Sequence, residues 1–150
     1  MNRIKSILAV LAVAMLAIAC QKETAPAVVY LDVTPNNISG NWQLVEWNGQ
    51  QLDAGTYFFI ELVRKDKEFT IWQNFDSMSS YPHQVTGNYN LETDVEKGVI
   101  IIGKYDFDGG FWSHDYEVND LTANQMTWVA VDDPGFIQKF VRVETIPVKE

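Results

Sequence analysis

The sequence predicts an all-β protein: an antiparallel up-and-down barrel of about eight strands, preceded by a signal peptide and a flexible tether. Two observations predict the barrel. From residue 38 onward apolar side chains recur with a period of two, and turns of hairpin length join the apolar runs. No amphipathic helix follows that could cross over between parallel strands, so neighbouring strands are expected to pair antiparallel.

The predicted strands share an alternation of apolar and polar side chains. They cover residues 38–47, 57–63, 69–75, 84–91, 99–102, 112–118, 126–131 and 136–143. Turn-forming residues separate them, among them Asn48-Gly49 and the run 132–135. The run 112–118 alternates without exception, which makes it the clearest strand in the chain.

A meander of this length can close on itself, which removes the exposed strand edges that invite aggregation. The interior of a barrel of about eight strands is either filled by side chains or holds one small ligand. A two-sheet sandwich fits the same periodicity.

The N-terminus has the features of a secretory signal peptide over residues 1–19. Arg3 and Lys5 precede an apolar run, 7–19, that is too short to span a bilayer. Residues 16–20, Leu-Ala-Ile-Ala-Cys, resemble the lipobox of bacterial lipoproteins, with Ala17 where that family usually has leucine. The resemblance implies that Cys20 is the first mature residue, carries a diacylglyceryl group and is acylated at its amino terminus, for example with palmitate.

Residues 20–36 read as the lipidated N-terminus and a flexible tether, and residues 37–146 as the barrel domain. The run 21–23, Gln-Lys-Glu, resembles the signal that sends lipoproteins of the Bacteroidetes to the outside of the outer membrane; a plain solvated tether is the alternative. We therefore expect an outer-membrane lipoprotein of the cell envelope, facing the periplasm or the cell surface.

The charge balance excludes several partners. The chain has 11 Lys and Arg residues against 20 Asp and Glu, a formal charge of −9 at pH 7. Such a field repels nucleic acid and anionic lipid head groups, so membrane attachment has to come from acyl chains on Cys20. Because Cys20 is the one cysteine, stability has to come from packing and not from disulfides.

Gly40-Asn41-Trp42 on the first strand and Arg142 on the last resemble the motif of the lipocalin-like domains found in Bacteroidetes lipoproteins. The resemblance implies that the arginine stacks on the tryptophan and closes one end of the barrel. Residues 42–45 are also similar to the start of a META-type domain, whose Gly-Cys-Asn signature this chain lacks.

If Trp42 faces inward, alternation predicts an interior rich in aromatic side chains. The candidate ligand-binding residues are Phe58, Ile60, Ile71, Tyr89, Trp112, His114, Tyr116, Trp128 and Phe140. They form either a pocket for a small apolar or flat ligand or a packed core with no cavity.

Alternate hairpin loops of a meander meet at the same end, here loops 48–56, 75–82, 106–111 and 132–136. These loops contain no Lys or Arg, and their carboxylates are Asp53, Asp76, Asp106, Asp108, Asp132 and Asp133. A mouth with this charge disfavours anionic ligands and tolerates neutral or cationic ones. A solvated acidic rim that keeps the protein soluble is the alternative.

We expect no enzymatic activity, cofactor or metal site. The chain has no Gly-x-Ser-x-Gly and no phosphate-binding glycine loop, and Glu46 is the inward carboxylate that an acid/base pair would need. Asp106, Asp108 and Glu117 match positions of a calcium loop only in part, because Phe111 replaces its glycine, and an Asp-based turn explains them better. His83 and His114 are too far apart in sequence to predict a metal site.

Two functions remain. The first is a lipid-anchored lipoprotein whose barrel binds a small apolar or neutral ligand. The second is a filled barrel that docks on an envelope protein complex through outward-facing Tyr57, Trp47 and Trp72.

Overall fold

The computed structural model of the chain describes residues 25–75 and 83–149. Its elements are α1 (Pro35–Ile38), β1 (Gly40–Trp47), β2 (Gln50–Gln51), β3 (Phe58–Val63), β4 (Glu68–Gln73), β5 (His83–Asp94), β6 (Gly98–Tyr105), β7 (Tyr116–Asn119), β8 (Gln125–Ala130) and β9 (Ile137–Val143). The predicted signal peptide, the lipidation site Cys20 and the loop residue Asp76 lie outside the described residues.

The strands form one closed antiparallel barrel. Each long strand pairs with the next along the chain, and β1 also pairs with β9, which closes a ring of eight strands. The additional strand, β2, is a two-residue extension that pairs with Glu46 and Trp47 at the end of β1. The predicted all-β barrel is confirmed, and the sandwich alternative does not form.

Strand β7 is shorter than its alternation predicts. The pattern indicates a strand from residue 112, whereas the strand begins at Tyr116. Upstream of Tyr116 the chain makes isolated backbone contacts with β6: a bridge between Phe111 and Lys104, and a 2.9 Å hydrogen bond from the Trp112 N–H to the Gly103 carbonyl. Alternation of apolar and polar residues indicates which way the side chains point. It does not indicate whether the backbone forms the hydrogen bonds of a strand pair.

The packed part of the chain extends beyond residues 37–146 on both sides. Upstream, the Leu31 N–H donates to the Leu121 carbonyl over 2.8 Å, and the four-residue helix α1 is capped by Thr34. Downstream, Val148 packs against the cluster of Phe59, Trp72 and Ile146, and the Lys149 ammonium lies 2.7 Å from a Glu61 carboxylate oxygen. Among the described residues no helix is long and apolar enough to cross a membrane.

Arg142 closes one end of the barrel as predicted. Its guanidinium lies 4.1 Å from the centroid of the Trp42 ring. The same group donates to the carbonyls of Asn37 at 2.9 Å and Ala123 at 2.7 Å, and to the carbonyl of Ser39. The indole N–H of Trp42 in turn donates to a carbonyl of α1 over 2.8 Å. One side chain therefore joins the start of β1, the β7–β8 turn and β9.

Candidate ligand-binding site

The barrel interior is filled at the Arg142 end and hollow at the other. Ile38, Trp42 and Leu62 are buried at the filled end. At the opposite end a cavity of about 330 Å³ is lined by Trp47, Phe58, Ile71, Gln73, Phe75, Tyr105, Trp112, Ser113, His114, Tyr116, Trp128, Phe136 and Gln138. The two interiors considered from the sequence, packed core and pocket, thus occupy different halves of one barrel.

The structure divides the candidate ligand-binding residues into two groups. Those that line the cavity are Phe58, Ile71, Trp112, His114, Tyr116 and Trp128. The others, Ile60, Tyr89 and Phe140, lie in the packed core and do not line the cavity. Tyr89 is held there by a 3.3 Å hydrogen bond from its hydroxyl to the Val63 carbonyl. The alternation of side chains along a strand predicts that all of them lie inside the barrel. It does not predict how far each lies from the open end.

The cavity opens at the end of the barrel where the acidic loops are predicted to meet. Phe75, Tyr105 and Phe136 lie at the edges of three of these loops and line it. The loop after β1 is tied to the loop before β9, because Asn48 and Ile137 exchange two hydrogen bonds of 2.8 Å.

Trp47 is a cavity residue that strict alternation assigns to the outside. The register between β1 and β9 shifts between Leu44 and Glu46, so one extra residue lies in β1. Because of this β-bulge, each later side chain of β1 lies on the opposite side of the sheet from the one that alternation predicts. Trp47 therefore turns inward, with its ring centroid 5.2 Å from that of Phe136.

The same bulge overturns the expectation for Glu46. Its carboxylate turns outward and lies 2.7 Å from the ammonium of Lys139 on β9, with both side chains partly exposed. Glu46 is therefore not an inward carboxylate at the mouth, and the acid/base pair considered from the sequence does not form around it.

The outer aromatic face predicted for docking is covered. Trp72 is buried against Phe59 and Ile146, and Tyr57 packs on the same cluster. The C-terminal segment supplies this cover, with the Lys149 ammonium 5.7 Å from the centroid of the Trp72 ring. Together with the inward turn of Trp47, this leaves none of the three predicted docking residues as an exposed anchor.

Two indole nitrogens in the cavity wall lack an acceptor. Trp112 is 8% exposed and Trp128 is 2% exposed, and neither Nε1 has a hydrogen-bond partner among the described residues. Their rings pack against each other with centroids 5.6 Å apart and planes tilted by 31°. Since these nitrogens themselves have no exposed surface, ring carbons form the cavity wall. The wall therefore combines aromatic ring surface with a comparable share of polar surface, to which Gln73, Ser113, His114, Gln138 and the phenols Tyr105 and Tyr116 belong.

His114 and Asp132 form a polar pair at the mouth. Nδ1 of His114 lies 2.7 Å from a carboxylate oxygen of Asp132, and the imidazole packs 4.7 Å from the Phe136 ring. The hydrogen bond from His114 lowers the pKa of Asp132 below its ordinary value, so this carboxylate stays ionised at neutral pH.

The carboxylates that match a calcium loop in part have separate partners. Asp106 accepts a 2.7 Å hydrogen bond from the Thr86 hydroxyl, and Asp108 accepts one of 2.8 Å from the Gly110 N–H, as a turn-forming aspartate does. Glu117 pairs with Lys97 at 3.1 Å. Across the described residues, no three His, Cys, Asp or Glu side chains cluster as a metal site would need.

Burial keeps the cavity phenols neutral. Loss of water around Tyr116 raises its pKa to about 12, with smaller contributions from Tyr105 and from the negative charge of Asp132. Burial also raises the pKa of Tyr105, and the charge of Asp108 adds to this. Both hydroxyls are therefore protonated at neutral pH and can donate hydrogen bonds.

We expect alkali to destabilise the fold through Tyr116. Its folded pKa is raised above the ordinary value of 10.0, so its contribution is complete below pH 10 and is lost as the pH rises towards about 12. Between about pH 9 and pH 11.5 this group alone should lower the free energy of unfolding by roughly 2 kcal/mol. Urea unfolding of the wild type and of Tyr116→Phe measures it, and equal pH slopes in the two proteins would contradict it.

Comparisons of the chain with protein-family models, with curated proteins and with solved structures find no match. A functional assignment therefore has to rest on the cavity and on the residues of this chain.

Proposed function

We propose that this protein is a lipid-anchored lipoprotein of the cell envelope whose lipocalin-like barrel binds a small apolar or neutral ligand. The observation that carries the proposal is the cavity of about 330 Å³ with largely aromatic walls at the open end of the barrel. Ligand pockets range from about 300 to 1,000 Å³, so this one suits a small ligand.

The character of the walls supports an apolar ligand. Trp47, Trp112 and Trp128 offer ring surface, and polar groups such as Gln138 and His114 add hydrogen-bonding positions. Binding pockets have this composition, because apolar walls supply affinity and a few polar groups set orientation. The Arg142 contact with Trp42 lies where the lipocalin-like resemblance places it, which supports the same family of folds.

A neutral dye tests the cavity. N-phenyl-1-naphthylamine becomes fluorescent in apolar surroundings, and we expect it to bind the wild-type domain saturably. Gln73→Trp places a larger side chain at a cavity-lining position of β4 and should weaken binding at least about tenfold, since it removes part of the space the ligand fills.

Gln84→Trp is the matched control. Gln84 is exposed on the neighbouring strand and pairs with Trp72, outside the cavity. This variant should bind the dye as the wild type does. Equal weakening by both substitutions, or no saturable binding by the wild type, would overturn the proposal; urea unfolding of each variant verifies that it is folded.

The proposed anchor has its own test at Cys20. In a bacterium that processes lipoproteins, the full chain should incorporate labelled palmitate and Cys20→Ala should not, because the thiol and the new amino terminus are the acylated groups. Ala19→Gly keeps a small residue before the cysteine and should still be labelled. Equal labelling of the wild type and Cys20→Ala, or none in the wild type, would contradict lipidation at this residue.

A further inference from the structure

The cavity is lined by packed aromatic rings. Trp112 packs on Trp128 with centroids 5.6 Å apart, and Tyr116 packs on Trp128 at 5.4 Å. Trp47 and Phe75, which also line the cavity, pack with their ring centroids 5.1 Å apart. Aromatic faces carry partial negative charge and attract cations, most strongly where water is excluded, and aromatic cages bind quaternary ammonium groups in this way.

None of the described residues that line this cavity is a lysine or an arginine. Lys104 on β6 and Lys139 on β9 have partners outside the cavity. The Lys104 ammonium lies 5.9 Å from the centroid of the Phe111 ring, which is exposed, and Lys139 pairs with Glu46 on the outside of the barrel. No lysine or arginine charge of the described wall therefore opposes a bound cation, and the imidazole of His114 is paired with the carboxylate of Asp132.

Two carboxylates act on the wall from the mouth. Asp132 lies 2.7 Å from Nδ1 of the cavity residue His114, and Asp108 lies in the loop that follows the cavity residue Tyr105. Burial is the main cause of the raised pKa of Tyr116 and of Tyr105, and the negative charges of Asp132 and Asp108 add a smaller part. The part of this effect that comes from the carboxylates is a negative potential, and a negative potential at the wall favours a cation there. The aromatic wall and the carboxylates at the mouth therefore both favour a positively charged ligand.

We infer that the cavity prefers an apolar organic cation, an aryl or alkyl ammonium, over a neutral molecule of the same shape. This inference rests on the proposed function, since it names the ligand class of the same cavity. Electrostatic attraction at the mouth raises the local concentration of the cation, and the aromatic walls replace part of the water that it loses.

Two isosteric probes test the charge preference. Phenyltrimethylammonium and tert-butylbenzene differ in one central atom, nitrogen with a positive charge or carbon without one. Calorimetry or indole fluorescence on the wild-type domain should give a dissociation constant about tenfold lower for the cation at low salt. The difference should shrink as salt is raised to about 0.5 M, whereas the affinity of the neutral probe should not fall.

The two carboxylates at the mouth, Asp108 and Asp132, can be replaced by neutral amides that keep their hydrogen bonds. An Asp108→Asn, Asp132→Asn double variant keeps an acceptor for the Gly110 N–H and for His114. It should weaken the cation about three- to tenfold and leave the neutral probe within about twofold. The matched control is Asp66→Asn, Asp120→Asn, which removes two charges from turns at the Arg142 end, where positive φ angles of 62° and 50° suit asparagine. It should change neither affinity.

The outcomes separate this inference from the proposed function. If both probes bind the wild type equally, or the neutral one binds more tightly, the charge preference is wrong and the apolar binding site stands. Equal weakening of the cation by the rim variant and by its control would also overturn the preference. If neither probe binds, the binding function fails and the inference fails with it.

Discussion

Replacing Arg142 with alanine should lower the free energy of unfolding by roughly 3 kcal/mol, because it removes a stacked cation and three charged hydrogen bonds at once. The guanidinium lies 4.1 Å from the Trp42 centroid and donates to the carbonyls of Asn37, Ser39 and Ala123. Without it, these carbonyls lose their donor, and the side-chain link from β9 to the N-terminal segment and to Ala123 in the β7–β8 turn is lost. Urea unfolding followed by fluorescence measures the loss.

Two further variants of β9 show how much of that loss is due to the guanidinium group. Arg142→Lys keeps the charge but not the planar fork that reaches several carbonyls, so it should fall between the wild type and Arg142→Ala. Lys139→Ala removes an exposed ion pair with Glu46 and should cost at most about 1 kcal/mol. A cost for Arg142→Ala no greater than that for Lys139→Ala would show that the guanidinium does not close this end of the barrel.

Gly103→Ala should cost about 3 kcal/mol and weaken ligand binding, because Trp112 lies directly against this glycine. A Cβ at residue 103 would overlap Cε2, Cδ2 and Cζ2 of the Trp112 indole. The ring would have to leave its site, where it contacts Phe69 with centroids 5.0 Å apart and forms part of the cavity wall. Urea unfolding and dye titration measure the two effects.

A double-mutant cycle isolates the cause. In a Trp112→Ala background the overlap no longer exists, so adding Gly103→Ala should cost less than about 1 kcal/mol. Gly135→Ala is the matched control, since its new Cβ would meet only a flexible Asp133 side-chain oxygen at 3.3 Å. If Gly103→Ala costs the same with and without the Trp112 indole, packing of that ring on Gly103 is not the reason for the loss.

The sequence predicted the barrel, with a two-sheet sandwich as the alternative, and the arginine that closes one end of it. Alternation marks the strands because each buries one face, and short turns leave only antiparallel neighbours to pair with. The stacking of Arg142 on Trp42 also follows from residues in the sequence, through the resemblance of Gly40-Asn41-Trp42 and Arg142 to a known motif. The structure confirms that contact.

The cavity was predictable only in part, because its position depends on irregularities that alternation does not record. The bulge between Leu44 and Glu46 brings Trp47 inside and takes Glu46 out. The start of β7 at Tyr116 leaves residues 111–115 as a loop beside the mouth. No turn signal marks either feature, because both depend on which backbone groups find partners across the barrel.

The covered face of Trp72 was missed for a similar reason. Ile146 reaches it from the far end of the sequence. Period-two patterns describe contacts within a sheet, whereas this contact joins the outer face of β4 to an irregular tail. The sequence signal that could have found it is the pair of apolar residues Ile146 and Val148 after the last strand.

The most direct test of the central claim, that this barrel holds a small ligand at its open end, is a ¹H–¹⁵N spectrum of the indole N–H groups. The chain has five tryptophans, each with a separate indole signal. Trp47, Trp112 and Trp128 line the cavity, whereas Trp42 lies at the closed end and Trp72 on the outer face. Titration with the neutral dye should shift the signals of the first three and leave the other two unchanged. Shifts of Trp72 or Trp42 alone, or no shift at saturating dye, would contradict a ligand site in this cavity.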